Sequence, residues 1–282
     1  MGKAKDIILR VIPSNVANEF VKKYHYSGKV VPNSKLHFGA FLDKHLHGVM
    51  SYGSPMSKEK VIGLVSDTKW NEMLELNRMA FDEYLPRNSE SRCLAISFKL
   101  IKKNAPHIKW ILSFSDGCQS GDGTIYRAAG FNLTGIKPNK STIIMPDGET
   151  IAFMTIAAHL QGLSADSPVV KLAKKYGIKI NGAASAKGFL NAGGKFIPGF
   201  QLRYIKILNP NCKLTVPEIP YERIDELGAG MFRGERIKVS DRKPTSEYSV
   251  DSSTPVIQTG GGGADPTYSL QLPEGNNGND AD

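Results

Sequence analysis

Cysteine is scarce in this chain. Cys93, Cys118 and Cys212 are the whole complement in 282 residues, with no CxxC pair among them. That is too little for a disulfide framework or a four-thiolate zinc site, which excludes knottin and zinc-finger classes and points to a reducing compartment. Long apolar runs are missing as well: no stretch of about 18 apolar residues is uninterrupted. At the N-terminus, Lys3, Lys5 and Asp6 precede a short apolar stretch that soon meets Pro13. The expectation is a soluble protein, neither exported by a standard signal nor membrane-spanning.

Positive charge is in excess, with 36 Lys and Arg against 27 Asp and Glu, a net +9. Residues 240–282 carry Arg242 and Lys243 against seven acidic side chains, a net −5, which leaves +14 on residues 1–239. A basic body suits a polyanionic partner, because each Lys or Arg set near a phosphate releases a condensed counterion. A solubilising excess with no partner is the bland alternative. Residues 240–282, with Gly260 to Gly263 in their middle, have hardly two apolar residues together. Such a segment cannot bury enough surface to offset its ordering entropy and reads as a disordered acidic tail.

In residues 1–162, strand and helix signals alternate. DIILRVIP reads as a strand, and Ser14 as the N-cap of a helix with Val16, Phe20, Val21 and Tyr24 at helical spacing. KLHFGAFL and HGVMSYGS alternate about a DKHL connection, as a hairpin would, with His45 and His47 in the turn facing solvent. MLELNRMAF has a period of two, with Leu74, Leu76 and Met79 on the buried side. PRNSESRCLAISFKLIKKNAP is a helix with cap candidates Asn88 and Ser89, stopped by Pro106. HIKWILSFSDG is an apolar strand, GDGTIYRAAGFN a short helix stopped at Gly130, and LTGIKPNKSTIIMPDGETIAFMTIA one or more closing strands. This order predicts a mixed α/β sheet. Residues 163–239 form a basic, Gly-rich extension in which QLRYIKIL reads as a strand and AKGFLNAGGKFIPG as a loop. Its Lys174, Lys175, Lys187, Lys195 and Arg203, interleaved with aromatics, are the candidate DNA-binding residues.

Two strings exceed the background: Tyr24-His25-Tyr26-Ser27-Gly28 at a helix end, and ELNRMAFDEYLPRNSES at a strand end entering a helix. Ligands collect beyond the carboxyl ends of strands in α/β sheets, so both strings are expected to meet there. His25 alone reads as an ordinary helix-end histidine. Arg78 inside a strand needs a partner, either Asp82 or Glu83 in an ion pair or a bound anion. Pro86-Arg87-Asn88-Ser89 sets amides and a positive charge at a helix start, as a phosphate site does, without the glycines of a dinucleotide loop. Asp116 ends a buried strand and Tyr126 lies on the next helix; each has a structural reading as a turn residue or a packed ring. Cys118 has no activating histidine nearby in sequence, which leaves a cysteine nucleophile weak.

The YRAAGF helix resembles the segment before the last strands of GNAT N-acetyltransferases, where such a Tyr serves as general acid. PRNSES occupies the place where that superfamily binds a pyrophosphate. HYSG, ELNRMAFDEYLPRNSES and FSDGCQSGDGTIYRAAGF together resemble the Mom family of phage DNA-modification proteins, over residues 8 to about 160. The resemblance implies a GNAT-like fold, with a mixed, mostly antiparallel central sheet flanked by helices. It also implies conversion of adenine in DNA to N6-carbamoylmethyladenine, which shields phage DNA from host restriction in the bacterial cytoplasm. The residues required for activity would be His25, Tyr26, Arg78, Ser91, Asp116 and Tyr126. The glycine loop of acetyltransferases is replaced by Arg87-Asn88-Ser89-Glu90-Ser91, so Arg87, Asn88, Ser89 and Ser91 are the donor-binding candidates and ordinary acetyl-CoA binding is in doubt.

The partner would be double-stranded DNA with a flipped adenine, because the N6 edge is occupied inside a duplex. The N6–CH2 bond of the product is not an amide, so plain acetyl transfer gives the wrong atom order. An activated glycine donor is favoured. The other route uses acetyl-CoA and iron, with His25, Tyr26 and Asp116 as the metal ligands. A GNAT-type N-acetyltransferase of a small amine or protein, and a non-catalytic phage DNA-binding protein, are the alternatives.

Overall fold

A computed structural model describes residues 3–153, 155–156, 166–179 and 186–242. The expected tail beyond Arg242 and part of the last expected closing strand lie outside the described residues. Two compact units are present, one built on Met1–Leu112 with Lys206–Thr215, the other on Ser113–Ile205 with Val216–Pro244. Among the described residues no helix is long and apolar enough to cross a membrane.

The first unit opens with β1 (Ile8–Val11) and α1 (Ser14–Tyr24), then β2 (Ser34–Leu42) and β3 (His45–Gly53). α1 forms because Ala17, Phe20 and Val21 recur on one face and pack with Ile12, Val49 and Ala80. Its N-cap is Pro13, without a side-chain capping bond, and Ser14 is already helical. The expected serine cap is therefore corrected: Pro13 supplies the extended backbone that starts the turn.

The β2–β3 turn is only Asp43-Lys44, both at positive φ (49° and 67°), as a two-residue hairpin turn requires. That moves His45 and His47 out of the turn and into β3. His47 is buried at 2% exposure, its Nδ1 lies 2.8 Å from Asp82 Oδ2, and its ring stacks on Tyr84 at 4.3 Å. The solvent-facing expectation fails for His47, which the register of β2 with β3 leaves unpaired between Leu46 and Gly48 and which packs on Asp82 and Tyr84.

After a single turn, α2 (Lys58–Val61), come β4 (Met73–Phe81), α3 (Ser89–Asn104) and the start of β5 (Trp110–Gly117). The first four strands pair antiparallel in sequence order. β5 joins β4 in parallel through Met73–Glu75 against Trp110–Leu112. In β4 the period of two breaks where the register with β3 shifts: Leu76 pairs with Tyr52 and Arg78 with Ser51, leaving Asn77 as a bulge. Leu76 and Asn77 are consequently both buried, whereas Leu74 and Met79 are only half-buried. In α3, Cys93, Leu94, Ser97, Phe98 and Ile101 face inward, and Ser97 Oγ meets Tyr52 Oη at 2.7 Å.

The second unit holds the end of β5, α4 (Thr124–Ala128), β6 (Asn132–Pro138) and β10 (Phe200–Ile207). The large sheet has the order β1-β2-β3-β4-β5-β10-β6, with β10 antiparallel to β6. It is mixed and mostly antiparallel, with helices flanking it. QLRYIKIL takes an inner position because Leu202, Tyr204 and Ile205 are fully buried.

A small antiparallel sheet, β8-β7-β9, is formed by β7 (Thr142–Ile144), β8 (Thr150–Ala152) and β9 (Lys195–Phe196). It shares a core of Ile143, Met145, Ile151, Val169, Leu172 and Phe189 with α5 (Pro168–Lys175) and α6 (Ala186–Asn191). AKGFLNAGGKFIPG was expected as a loop and contains α6: burying Phe189 outweighs the poor helix propensity of Gly188. A last short helix, α7, is Glu222–Glu226.

Candidate active site

In the first unit the HYSG turn begins where α1 ends, with His25 N–H donating to Val21 O at 3.0 Å and Gly28 N–H to His25 O at 2.8 Å. Ser27 N–H donates to His25 Nδ1 at 3.2 Å, and Ser27 Oγ lies 2.8 Å from the same nitrogen. Nδ1 is therefore an acceptor, and a neutral His25 carries its proton on Nε2, an assignment inferred from the bonding pattern. The Tyr26 ring lies 4.4 Å from the His25 ring and is 55% exposed, an open face on which a flat group can stack.

Arg78 joins this turn to β4. Its Nε donates to Lys29 O and its Nη1 to Asn77 O, both at 2.7 Å. The two strings singled out in the sequence thus do meet, but not through the partners expected. Asp82 holds His47 and accepts from Tyr84 N–H, while Arg78 takes main-chain carbonyls, because the Asn77 bulge re-aims it. Burial lowers the Arg78 pKa, opposed by the Tyr26 phenol and by Glu75.

Glu75 escaped the sequence reading. Burial pushes its carboxyl up to about 7, partly offset by a hydrogen bond with Asn77 and by Arg78. The available signal was a glutamate three residues before an arginine inside an apolar strand. The register also sets His37, Ser51 and Arg78 in one cross-strand row. His37 Nδ1 is 2.8 Å from Ser51 Oγ, and burial lowers the His37 pKa.

At the start of α3, Arg87 and Asn88 are exposed, and Asn88 sits at the N-cap position with φ 66°. Buried Ser89 donates its hydroxyl to Pro86 O, and Ser91 donates Oγ to Asn88 O at 3.2 Å. Both hydroxyls thus donate within their own turn, and Glu90 adds a negative charge there. What this segment presents to an anionic donor is Arg87 and the helix start, which suits one anionic group better than a pyrophosphate cradle.

In the second unit, Asp116 is the penultimate residue of β5. Its Oδ1 accepts from Cys118 N–H at 3.0 Å and from Gln201 Nε2 at 2.9 Å. Its main-chain O accepts from the N–H groups of Gln119, Ser120 and Gly121 at 3.0–3.3 Å, which folds the SDGCQSG string into a tight turn. Burial and the Asp116 charge push the Cys118 thiol up to about 12, so it offers no thiolate near neutrality.

The turn ends at Asp122, whose side chain has no exposed surface. Arg242 donates to it from both Nη atoms, Met231 N–H at 3.1 Å, and Arg127 Nη2 lies at 3.6 Å. Tyr204 Oη donates to Asp122 O. A Cβ at Gly123 would stand 2.4 Å from the Tyr204 ring at φ +89°, so only glycine lets α4 start this close. α4 carries Tyr126, 9% exposed, its ring 5.3 Å from Tyr204 and 5.4 Å from Phe131.

His25, Tyr26, Arg78 and Ser91 therefore belong to the first unit, Asp116 and Tyr126 to the second. Among the described residues no three His, Cys, Asp or Glu side chains gather as a metal site. Of the basic candidates, Lys174, Lys187 and Lys195 are exposed. Lys175 pairs with Asp147 and Glu149 at 2.5 Å each. Half-buried Arg203 donates from Nε to Thr134 Oγ1 at 3.0 Å and from Nη2 to Thr134 O at 2.8 Å.

The sequence is 32% identical over 159 residues to the methylcarbamoylase Mom of Escherichia phage Mu, a stretch covering 56% of this chain and 65% of that protein. Among solved structures, the IAA acetyltransferase from Bacillus cereus ATCC 14579 is 11% identical, with a TM-score of 0.37 and coverage of 71% of this chain and 99% of that one. The ribosomal-protein-S18-alanine N-acetyltransferase from Escherichia coli is 8% identical, with a TM-score of 0.38 and coverage of 72% and 94%. These structural likenesses are loose. The profile of the Mom protein family matches residues 6–223, a span holding every string that carries a candidate catalytic residue, and the chain belongs to that family.

Proposed function

We propose that this chain is a phage DNA-modification transferase that converts adenine in DNA to N6-carbamoylmethyladenine and works in the host bacterial cytoplasm. The observation that carries the reading is the family match over residues 6–223, a span that contains HYSG, ELNR and FSDG–YRAAGF. The residue chemistry of each unit by itself suits the reading: in the first, an exposed Tyr26 ring able to stack a flat base; in the second, a carboxylate at Asp116 able to accept from an amine and a phenol at Tyr126 able to give up a proton.

The N6 amine is delocalised into the ring and needs an activated partner. With an activated glycine, N6 takes the glycyl group and the carrier leaves with a proton. The free glycine amine then attacks C6, and the five-membered spiro intermediate collapses by breaking the old C6–N6 bond. The glycine nitrogen stays on the ring and N6 becomes the amide nitrogen. Arg78 serves this chemistry by holding the HYSG turn through Lys29 O. Arg87 and the start of α3 would take the donor's anionic group.

The test is mass spectrometry of nucleosides from DNA of bacteria expressing the full chain. A deoxyadenosine heavier by one carbamoylmethyl group is the expected result. Unmodified deoxyadenosine throughout, with soluble protein present, overturns the reading.

A further inference from the structure

Gln201 comes from β10, 85 positions along the chain from Asp116, and its amide donates to Asp116 Oδ1 at 2.9 Å. The approach is close because Gly117 has no side chain: a Cβ there would lie 2.7 Å from Phe200 O. Behind Gln201, Nε2 also lies 3.5 Å from Ser141 Oγ. Ser141 donates its N–H at 2.8 Å and its Oγ at 2.7 Å to Asn139 Oδ1. Asn139 is 5% exposed and is fixed in turn by Nδ2 donating to Ile197 O at 2.8 Å and to Thr142 O at 3.2 Å. The Ser141 hydroxyl proton goes to Asn139, so its lone pairs face the Gln201 amide. The opposite amide orientation would set a carbonyl against the Asp116 carboxylate, acceptor against acceptor.

Gln201 is neutral, unlike the arginines at Asp122. We propose that Gln201 is the positioning residue for Asp116, fixing the plane of the carboxylate that faces the N6 amino group of adenine in the proposed reaction. This rests on the function proposed above.

The experiment follows the rate of carbamoylmethyladenine formation in plasmid DNA after induction of the full chain, with thermal melting and DNA affinity measured on the same purified proteins. Gln201→Met keeps the length and removes the donor; a rate lower by about 10- to 100-fold is expected, the range for losing a hydrogen bond to a charged group. Melting and DNA affinity stay unchanged. Gln201→Glu puts a second carboxylate against Asp116 and is expected to be at least as slow.

A double variant, Asp116→Asn with Gln201→Glu, restores the hydrogen bond with the charge on the wrong residue. Melting like the wild type without modification supports the assignment, whereas recovered modification overturns it. Wild-type speed in Gln201→Met, or a loss only in step with melting, also overturns it while leaving the adenine reading intact. No modified base from the wild type overturns both.

Discussion

Asp122 and Asp116 bracket one turn, and the protein treats them in opposite ways. Asp122 is sealed from solvent between Arg242 and Arg127 and receives main-chain and hydroxyl donors besides. Asp116 is half-buried and takes the neutral donors Cys118 N–H and Gln201 Nε2. A buried carboxylate between guanidiniums is neutralised, and breaking it leaves uncompensated charge. The difference gives Asp122 the architecture of the turn and leaves Asp116 for the chemistry proposed for it.

The largest effect that sharpens this contrast is on rate. Asp116→Asn and Tyr126→Phe are each expected to slow adenine modification by about 10²–10⁴-fold, with melting shifted by no more than the roughly 1 kcal/mol of a lost hydrogen bond. Full modification by Tyr126→Phe would remove the acid role from that phenol. Asp122→Ala should show the reverse pattern. Stripping the partner from Arg127 and Arg242 is expected to cost about 3–5 kcal/mol, read by denaturant melts, with activity lost only as the folded fraction falls. Wild-type melting by that variant would break the comparison.

Glu75 supplies a pH arm in the other unit. Its folded carboxyl titrates at about 7 rather than the ordinary 4.5, so between those values the folded chain holds a proton that the unfolded chain has released. This contribution is full below about pH 4.5 and is lost as pH rises through 7, on the order of 3 kcal/mol. Glu75→Gln should flatten that slope, and melts at pH 5 and pH 8 that differ equally in both proteins would refute it.

The smallest effect concerns the exposed lysines. Replacing Lys174, Lys187 and Lys195 by Ala should reduce the slope of log affinity for DNA against log salt by about 2–3. Lys175→Ala should change it less, since Asp147 and Glu149 already hold that ammonium. Equal slopes in all variants would return this face to plain solvation.

Much of the first unit was legible, since local periodicity reports local burial: α1 and β4 lie where Phe20–Val21 and MLELNRMAF set them. The errors cluster where one residue changes register. A two-residue turn moved His47 into a strand, and the Asn77 bulge turned Arg78 from Asp82 to Lys29 O. Of the candidate site, the residue types at 25, 26, 78, 116 and 126 stood out in the strings, whereas Glu75, Gln201 and Asp122 did not. Beyond the spacing of Glu75 to Arg78 none of the three carries a local signal, and each acquires its role from what packs against it.

The sequence by itself determined the basic body, the order of most strands and helices, and the strings that mark the family, all properties carried by composition or by short-range spacing. Only the tertiary structure decided which polar groups are partners. Gln201 reaches Asp116 across 85 positions and Arg242 reaches Asp122 across 120, because β10 enters the large sheet beside β5 and the segment after α7 returns to the turn. A hydrogen bond depends on position to within a few tenths of an ångström, and no pattern within one stretch of chain encodes which distant stretch will be laid beside it.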